Sequence, residues 1–375
     1  MTDPEPAERD GSLGEVALAF LKLGVIGFGG PVAHVALMRR EFVDRRRWLG
    51  EDRFLELFGA ANLIPGPSST ELGMMLGYLR AGWAGLLVAG GCFIAPAMTI
   101  VLILAWAYVR YGTVPQADWV LAGVAPVMIA IVADALWQLG RRAMTTLPMA
   151  GVGVATFALY LLGLNAIALL FGGAFVVMLG RRAWAAHDHA AIALPLAAAT
   201  VSLRDLFFEF LKLGAIVYGS GYVLLAFVRA DLVHHLHWMS DGTLVDAVAI
   251  GQVTPGPVFT TATFIGYLLA GVPGGLVATL GIFLPSFVFA GVIFSLLPRI
   301  RGSAWASAFL DGVTISALGL MAGVTVQLGR ATIVDVFSVV LAVAAFVILR
   351  RFQPNSAWLV LGGALIGFAV RGLGA

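Results

Sequence analysis

The sequence of 375 residues is 60% hydrophobic and only 12% charged, and its mean hydropathy is +0.95. A soluble protein has roughly a quarter of its residues charged. The composition therefore excludes a soluble globular protein, a disordered chain and a nucleic-acid-binding protein, and it predicts an all-α polytopic membrane protein in a lipid bilayer. The single cysteine, Cys92, excludes an intrachain disulfide and a cysteine-based metal cluster, and we expect no cofactor. The acidic first dozen residues predict no removable signal peptide.

In chain order, each half of the sequence predicts one long apolar span that carries a lysine, one span interrupted by Pro-Gly-Pro, and four further hydrophobic spans. In the first half these spans cover residues 13–37, 54–79, 83–109, 115–140, 147–162 and 165–180. In the second half they cover residues 203–228, 243–270, 272–297, 303–329, 331–349 and 355–371. Each stretch is apolar around most of its circumference, as a helix in lipid must be because its backbone polar groups need internal partners.

The two sets of spans are internal repeats. The segment from Phe20 to Gly24 recurs from Phe210 to Gly214, 190 positions later, and Asn62-x-x-Pro65-Gly66-Pro67 recurs as Gln252-x-x-Pro255-Gly256-Pro257 at the same offset. After one deletion the offset becomes 189, and Gln138 to Arg141 pairs with Gln327 to Arg330. The sequence therefore predicts a first transmembrane repeat over 13–182, a linker over 183–202 and a second repeat over 203–371.

The arginine distribution predicts that the second repeat is inverted. If each Pro-Gly-Pro segment enters and leaves on one side, each half crosses the membrane five times, and 16 arginines share one face against five on the other. The larger set comprises the arginines of 39–53, Arg80, Arg141, Arg142, Arg181, Arg182, Arg204, Arg299, Arg301, Arg350 and Arg351. By the positive-inside rule this face is cytoplasmic. An odd number of crossings per half then gives about ten crossings, two Pro-Gly-Pro hairpin elements and two inverted-topology repeats.

Each half also contains helix breaks, the architecture that secondary transporters use to build a site near the bilayer midplane. Glycines interrupt the first span at 27–31 and its repeat at 219–221, and the Pro-Gly-Pro prolines remove amide donors. A helix that begins after Pro67 or Pro257 presents free N–H groups and partial positive charge, which favours an anion. Prolines and glycines also kink membrane helices without binding a ligand, but the recurrence of both breaks favours a site.

Lysine usage marks a second feature of the repeats. Both lysines of the chain, Lys22 and Lys212, occupy the same repeat position among 21 arginines, and burying either one unpaired costs several kcal/mol. We interpret them as counter-charges for an anionic substrate. We therefore expect that arginine cannot substitute functionally for either lysine. The alternative is snorkelling or an ion pair with Glu15, Asp205 or Glu209.

Further polar residues give weaker indications. Glu56 and Asp246 are repeat equivalents before the Pro-Gly-Pro segments, and they could exchange protons or gate the site, or simply cap helices. His34 follows the first break, with substrate contact and local packing both open. The three histidines at 234, 235 and 237 lack metal-ligand spacing and indicate a solvated loop. The predicted substrate-binding residues are Lys22, Gly29, Gly30, Asn62, Pro65, Gly66, Pro67, Ser68, Ser69, Lys212, Gly219, Ser220, Gly221, Gln252, Pro255, Gly256, Pro257 and Thr260.

Six segments form a recognisable combination of motifs: Gly27 to Pro31, Arg39 to Glu41, Arg46 to Leu49, Leu63 to Pro67, Leu79 to Trp83 and Pro255 to Thr260. Together they resemble the chromate ion transporter family in its long, internally duplicated form. The segment from Tyr218 to Gly221 departs from the Phe-Gly-Gly-Gly-like stretch that is usual in the family.

The resemblance implies a secondary transporter that exports chromate across the bacterial inner membrane, with sulfate as a competing or exchanged tetrahedral dianion. Uptake of sulfate or another inorganic anion stays an alternative, and so does an anion channel. A membrane-embedded hydrolase built on Ser220 is less favoured, because His34 is the only histidine within a predicted span. Both a monomer and a homodimer stay open. The expected protein is not an enzyme.

Overall fold

The computed structural model describes residues 11–28, 30–62, 64–111, 115–144, 146–180, 202–219, 223–300 and 304–373. The first half contains α1 (Leu13–Ile26), α2 (Gly30–Arg39), α3 (Glu51–Ala61), β1 (Gly66–Pro67), α4 (Ser68–Tyr111), α5 (Pro115–Ala143), α6 (Leu147–Leu161) and α7 (Ala166–Gly180). The second half contains α8 (Leu203–Ile216), β2 (Tyr218–Gly219), α9 (Leu224–Val228), α10 (Asp241–Val253), α11 (Thr261–Ile300), α12 (Ala304–Thr332), α13 (Val336–Phe352) and α14 (Ser356–Leu373). The predicted all-α architecture is confirmed.

The repeat shows in how the helices begin and end. The hydroxyls of Ser12 and Ser202, which are repeat equivalents, accept hydrogen bonds from backbone N–H groups in the first turns of α1 and α8. Helices α1 and α8 end where the glycine-rich breaks are predicted. After each break, a π-helical turn extends the next helix: Arg40–Arg45 extends α2, and Arg229–His235 extends α9. The Pro-Gly-Pro segments separate α3 from α4 and α10 from α11, as predicted.

Both long helices, α4 and α11, turn back on themselves. Their backbones leave the helical conformation at Ala81–Gly82 and Ala270–Gly271, at the boundaries between predicted spans. On either side of the first break Gly77 packs directly against the backbone of Gly85, which eight residues of straight helix would keep about 12 Å apart. The segment before each break is therefore a short helix that lies antiparallel to the longer helix after it.

The two halves exchange packing partners around these hairpins. Helices α6 and α7 of the first half pack on α12 of the second, while α13 and α14 of the second half pack on α5 of the first. Helix α1 packs on α4, the equivalent α8 packs on α11, and α4 and α11 contact each other. Neither half buries its apolar helix faces alone, so the two repeats form a single core.

The halves also exchange hydrogen bonds at the centre of the molecule. The N–H of Gly66 donates to the carbonyl of Val217 at 2.7 Å, and the equivalent N–H of Gly256 donates to the carbonyl of Gly27 at 2.8 Å. The first of these bonds belongs to the short parallel pairing of β1 with β2. Gly66 and Gly256 have φ values of +131° and +96°, a region that side chains oppose. The repeated Pro-Gly-Pro motif therefore places a glycine where the chain of one half meets the helix break of the other.

By length and composition, four helical stretches within the described ranges could cross a membrane. They are Ser68–Tyr111, Asp118–Arg141, Val258–Phe294 and Asp311–Thr332, and shorter apolar helices accompany them. Their outer faces carry large exposed apolar side chains such as Leu87, Ile103, Val288 and Leu365. Such a surface suits lipid, and the protein is a multi-pass membrane protein.

Candidate functional site

The start of α4 places a group of polar side chains inside the protein, next to the crossing of the two halves. Ser68, Ser69, Thr70 and Glu71 form its first turn, and each is at most 5% exposed. A first helical turn has backbone N–H groups without partners in the helix, and it carries partial positive charge. The side chain of Glu71 faces Ser286 of α11 beside Gly66, and no cation among the described residues pairs with it.

His34 of α2 joins this turn to the first helix break. It is 2% exposed; its Nε2 lies 2.8 Å from the carbonyl oxygen of Gly27, and its Nδ1 lies 3.2 Å from the hydroxyl of Ser69. Because a carbonyl oxygen only accepts hydrogen bonds, Nε2 must carry the proton. In a neutral ring Nδ1 then accepts, so the hydroxyl of Ser69 donates to His34. The same Gly27 carbonyl also receives the N–H of Gly256.

A cavity of about 880 Å³ opens onto the start of α4. Phe28 and Pro31 from the first break, together with Asn62, Ser68 and Ser69, line its inner end. Its far end is lined by residues 353–355, which connect α13 to α14, and by Ser356 at the start of α14. A second groove of about 280 Å³ between α4 and α11 has almost entirely apolar walls and offers nothing to a charged ligand.

The remaining polar walls of this cavity come from α5 and α12. Asp134 accepts a hydrogen bond from Gln138 at 2.6 Å and lies 3.5 Å from Arg350, so part of its charge is compensated. Asp311 and Thr314 of α12 lie along the same wall. No lysine or arginine is among the described side chains that line the cavity. The donors available to a ligand at its inner end are therefore the amides and hydroxyls of the α4 turn.

The equivalent region of the second half is closed. Val258 and Phe259 stand where the first half has Ser68 and Ser69, and the hydroxyl of Thr260 donates to the Pro257 carbonyl at 2.8 Å. Gln252 is 3% exposed, and its amide nitrogen has no partner among the described residues.

The second half also has a contact between α12 and the turn after α9. Arg229 is bidentate to Asp241 at 2.7 Å and also donates to Gln327. In the first half, the equivalent Arg39 keeps the ion pair, with Glu51. The equivalent Gln138 does not contact Arg39 and donates a hydrogen bond to Asp134 instead.

The two predicted lysines occupy equivalent ion pairs. Lys22 lies 3.1 Å from Glu41, and Lys212 lies 2.9 Å from Asp231 and 2.6 Å from Glu209. Glu41 and Asp231 are themselves repeat equivalents. This is the arrangement of an internal ion pair, although of the three predicted partners only Glu209 is used. The Lys22 and Lys212 side chains are 44% and 37% exposed, and neither lines the cavity. Their contact with a substrate stays a prediction.

The Lys22 pair belongs to a larger charged cluster in the loop after α2. Glu41 also accepts hydrogen bonds from Arg45 at 3.0 Å and from Arg46 at 2.8 Å. Burial raises the pKa of Glu41, but the hydrogen bonds from Arg46, Lys22 and Arg45 outweigh it and lower the pKa to about 2. Glu15 joins the cluster through Arg46, Trp48 and Arg80 rather than through Lys22. The loop is thus pinned by charge against α1 and the hairpin of α4.

The remaining predicted residues are dispersed. Asn62 caps its own helix by donating to Phe58, Glu56 pairs with Arg53 at 2.7 Å, and Asp246 accepts a 2.7 Å hydrogen bond from Tyr108. Others adjoin the crossing of the two halves: Gly30, Pro65, Gly66, Pro67, Gly219, Pro255, Gly256 and Pro257. Gly29, Ser220 and Gly221 lie outside the described residues, as does most of the linker predicted over 183–202.

Sequence reasoning missed two sets of residues. It did not pair the lysines with Glu41 and Asp231, although both carboxylates follow their lysine by 19 positions and the repeat offset relates them. It also left Asp134, Asp311 and Gln138 unassigned. Nothing in the local pattern indicates that α5 and α12 supply a cavity wall to α4.

Comparisons with known proteins agree with this architecture. Residues 14–178 and 204–368 each match the chromate transporter family. The chain is 34% identical to a chromate transport protein of Cupriavidus metallidurans, over 95% of this chain and 92% of that one. It is 30% identical to a chromate transport protein of Pseudomonas aeruginosa, over 94% and 91% of the two chains, and 31% identical to a probable chromate transport protein of Synechococcus elongatus, over 90% and 89%. No solved structure matches the chain. The chain belongs to the chromate transporter family.

Proposed function

We propose that this protein is a secondary transporter that exports chromate from the cytoplasm by alternating access, with sulfate as a competing or exchanged anion. The observation that carries the proposal is the cavity that ends on the first turn of α4, between Ser68 and Ser69. A tetrahedral dianion seated there accepts hydrogen bonds from free amides at the positive end of a helix. Family membership, and the names of the relatives in Cupriavidus and Pseudomonas, supply the substrate.

The hairpins of α4 and α11 support ten crossings with two re-entrant elements. The segment of α4 before its break covers residues 68–80, about 20 Å at 1.5 Å per residue, and it lies antiparallel to the helix after the break. The equivalent part of α11 covers residues 261–269. In this proposal each Pro-Gly-Pro segment enters and leaves the membrane on one side. Five crossings then remain per half, which makes the repeats inverted.

An inverted pair of repeats has two equivalent routes to its centre, one from each side. We assign the route through the first half to the 880 Å³ cavity, and we assign the closed route to the contact of Arg229 with Gln327, the repeat equivalent of the cavity-lining Gln138. The open cavity extends toward the segment after Arg350 and Arg351, which belongs to the arginine-rich face. By the positive-inside rule the cavity faces the cytoplasm of a bacterial inner membrane, the side from which an exporter loads.

The test is transport by the purified protein in liposomes. We expect chromate trapped inside to exchange with labelled chromate outside, sulfate to compete, and the Ser68→Ala/Ser69→Ala variant to lose most of the flux. Thr325→Ala is the matched control, since this hydroxyl donates to the Met321 carbonyl of its own helix, away from the cavity lining. Exchange of sulfate but not of chromate would reassign the substrate. Equal flux in the serine variant and the wild type would place the site elsewhere.

A further inference from the structure

The inner end of the cavity lacks a cation for a dianionic ligand. Both lysines are held by carboxylates, Arg350 lies against Asp134, and no arginine or lysine is among the described lining residues. His34 is a group able to become positive, and its hydrogen-bond partner Ser69 lines the cavity. Because His34 is buried, an imidazolium at this position and a dianion held at Ser69 stabilise each other.

The hydrogen bonds of His34 connect its protonation state to the donors of the site. In the neutral ring Nε2–H donates to the Gly27 carbonyl, and Nδ1 accepts the Ser69 hydroxyl at 3.2 Å. When Nδ1 takes up a proton it becomes a donor, and the bond to Ser69 reverses. The Ser69 hydroxyl hydrogen is then released to point into the cavity. One proton therefore supplies a positive charge and one additional hydrogen-bond donor to the same ligand.

We propose that His34 is a proton-binding site coupled to the anion site: the anion binds together with one proton on Nδ1 of His34, and the two are carried together. The inference rests on the function proposed above and adds the coupling ion to it. The proton comes from water, and no other covalent bond is made or broken. The dianion and the proton together carry a net charge of −1. The predicted proton residues Glu56 and Asp246 are less suited, since each already has a partner and neither lines the cavity.

The groups that face His34 leave room for this charge. From α1 it meets the Gly27 carbonyl, and from α4 it meets Ser69 and the edge of the Phe93 ring, with the ring centres 5.3 Å apart. On its own helix the charged residue is Arg39, which is held by Asp44 and Glu51. The buried Glu71 follows Ser69 by two residues and faces Ser286, while the aspartates at 134 and 311 lie on the walls formed by α5 and α12. Among the described residues, the polar contacts of the ring are the Gly27 carbonyl and the Ser69 hydroxyl, and no cation there opposes a proton on Nδ1.

The test is the pH dependence of chromate binding by the purified protein, on the alkaline side of neutrality where chromate itself is a dianion. With one proton taken up per anion, the wild-type Kd rises by about tenfold per pH unit. His34→Gln retains a donor for Gly27 and an acceptor for Ser69 but takes up no proton. We expect this variant to bind with the weak affinity of the wild type at high pH, and to bind equally at every pH. His235→Gln, an exposed histidine in the π-helical turn after α9, is the control and should behave like the wild type.

Ser69→Ala provides a second measurement that does not depend on how His34→Gln folds. At high pH the hydroxyl hydrogen of Ser69 is donated to His34, so its loss weakens chromate binding less than it does at lower pH. At lower pH the hydroxyl faces the anion, and its loss weakens binding by about tenfold or more. An equal loss at every pH would overturn the inference, and so would a wild-type Kd that is independent of pH. If the wild type bound no chromate at any pH, the proposed function would be wrong. That outcome is distinct from chromate binding that does not depend on pH, which contradicts only the proton coupling.

Discussion

The contact between Arg229 and Gln327 tests whether the two halves form alternating gates. Arg229 lies at the start of the π-helical turn after α9, its side chain is 8% exposed, and Gln327 reaches it from α12. The equivalent residues of the first half, Arg39 and Gln138, have no such contact, and Gln138 lines the open cavity instead. We therefore expect the contact to form in whichever half is closed. Its removal should shift the protein toward the state that opens the second half.

The magnitude follows from the chemistry of that contact. A hydrogen bond that involves a charged group contributes about 1.5–3 kcal/mol. Gln327→Ala removes this bond from the present state only, while Arg229 keeps its bidentate pair with Asp241 and the fold keeps its ion pair. The ratio of the two states should therefore change by about 10- to 150-fold. Gln138→Ala is the matched control: it removes one charged hydrogen bond from each state, the bond to Asp134 here and the contact with Arg39 in the other state, so the ratio should change much less.

Cysteine labelling measures the ratio directly. In a Cys92→Ser background, a cysteine at Ala135 lies on the cavity wall, and a cysteine at its repeat equivalent Val324 is buried. Gln327→Ala should slow the reaction of the first cysteine with a membrane-impermeant thiol reagent and accelerate that of the second from the opposite side of the membrane. If the variant folds and neither labelling rate changes, Arg229 and Gln327 do not form a gate.

Two further changes test the ion pairs and the crossing. Lys212→Met should lower the free energy of unfolding in detergent more than Lys22→Met, by about 2 against about 1 kcal/mol. The reason is that Glu41 keeps two arginines, whereas the carboxylates around Lys212 lose their cation among the described residues. An equal loss would contradict this reading. Gly66→Ala should prevent recovery of monodisperse protein, because its Cβ collides with a buried carboxyl and a hydroxyl, while Gly256→Ala meets chiefly one methyl group at 2.8 Å and should be recovered in part. Equal recovery of the two variants would show that the crossing tolerates side chains.

The features that the sequence predicted are those that depend on local chemistry. Glycine and proline restrict the backbone wherever they stand, so the end of α1 at Ile26 and the interruption before Ser68 could be placed from the motifs alone. The partners of Lys22 could not, because its pairing with Glu41 depends on how the π-helical turn folds back onto α1. The cavity wall formed by α5 and α12 was equally inaccessible, since it arises from packing between halves that lie far apart in the chain.

Under the proposed function, the differences between the repeats favour one substrate site served by two gates. The backbone crossing is duplicated, with Gly66 and Gly256 in equivalent hydrogen bonds, so both halves supply a break at the centre. The donors are not duplicated: Ser69 lines the cavity, whereas Phe259 fills the equivalent position and Thr260 donates to its own backbone. Two full sites would bind two dianions close together and oppose each other electrostatically. A duplicated frame with donors in only one half avoids that repulsion, while it preserves two equivalent routes by which a single bound anion is exchanged with either side.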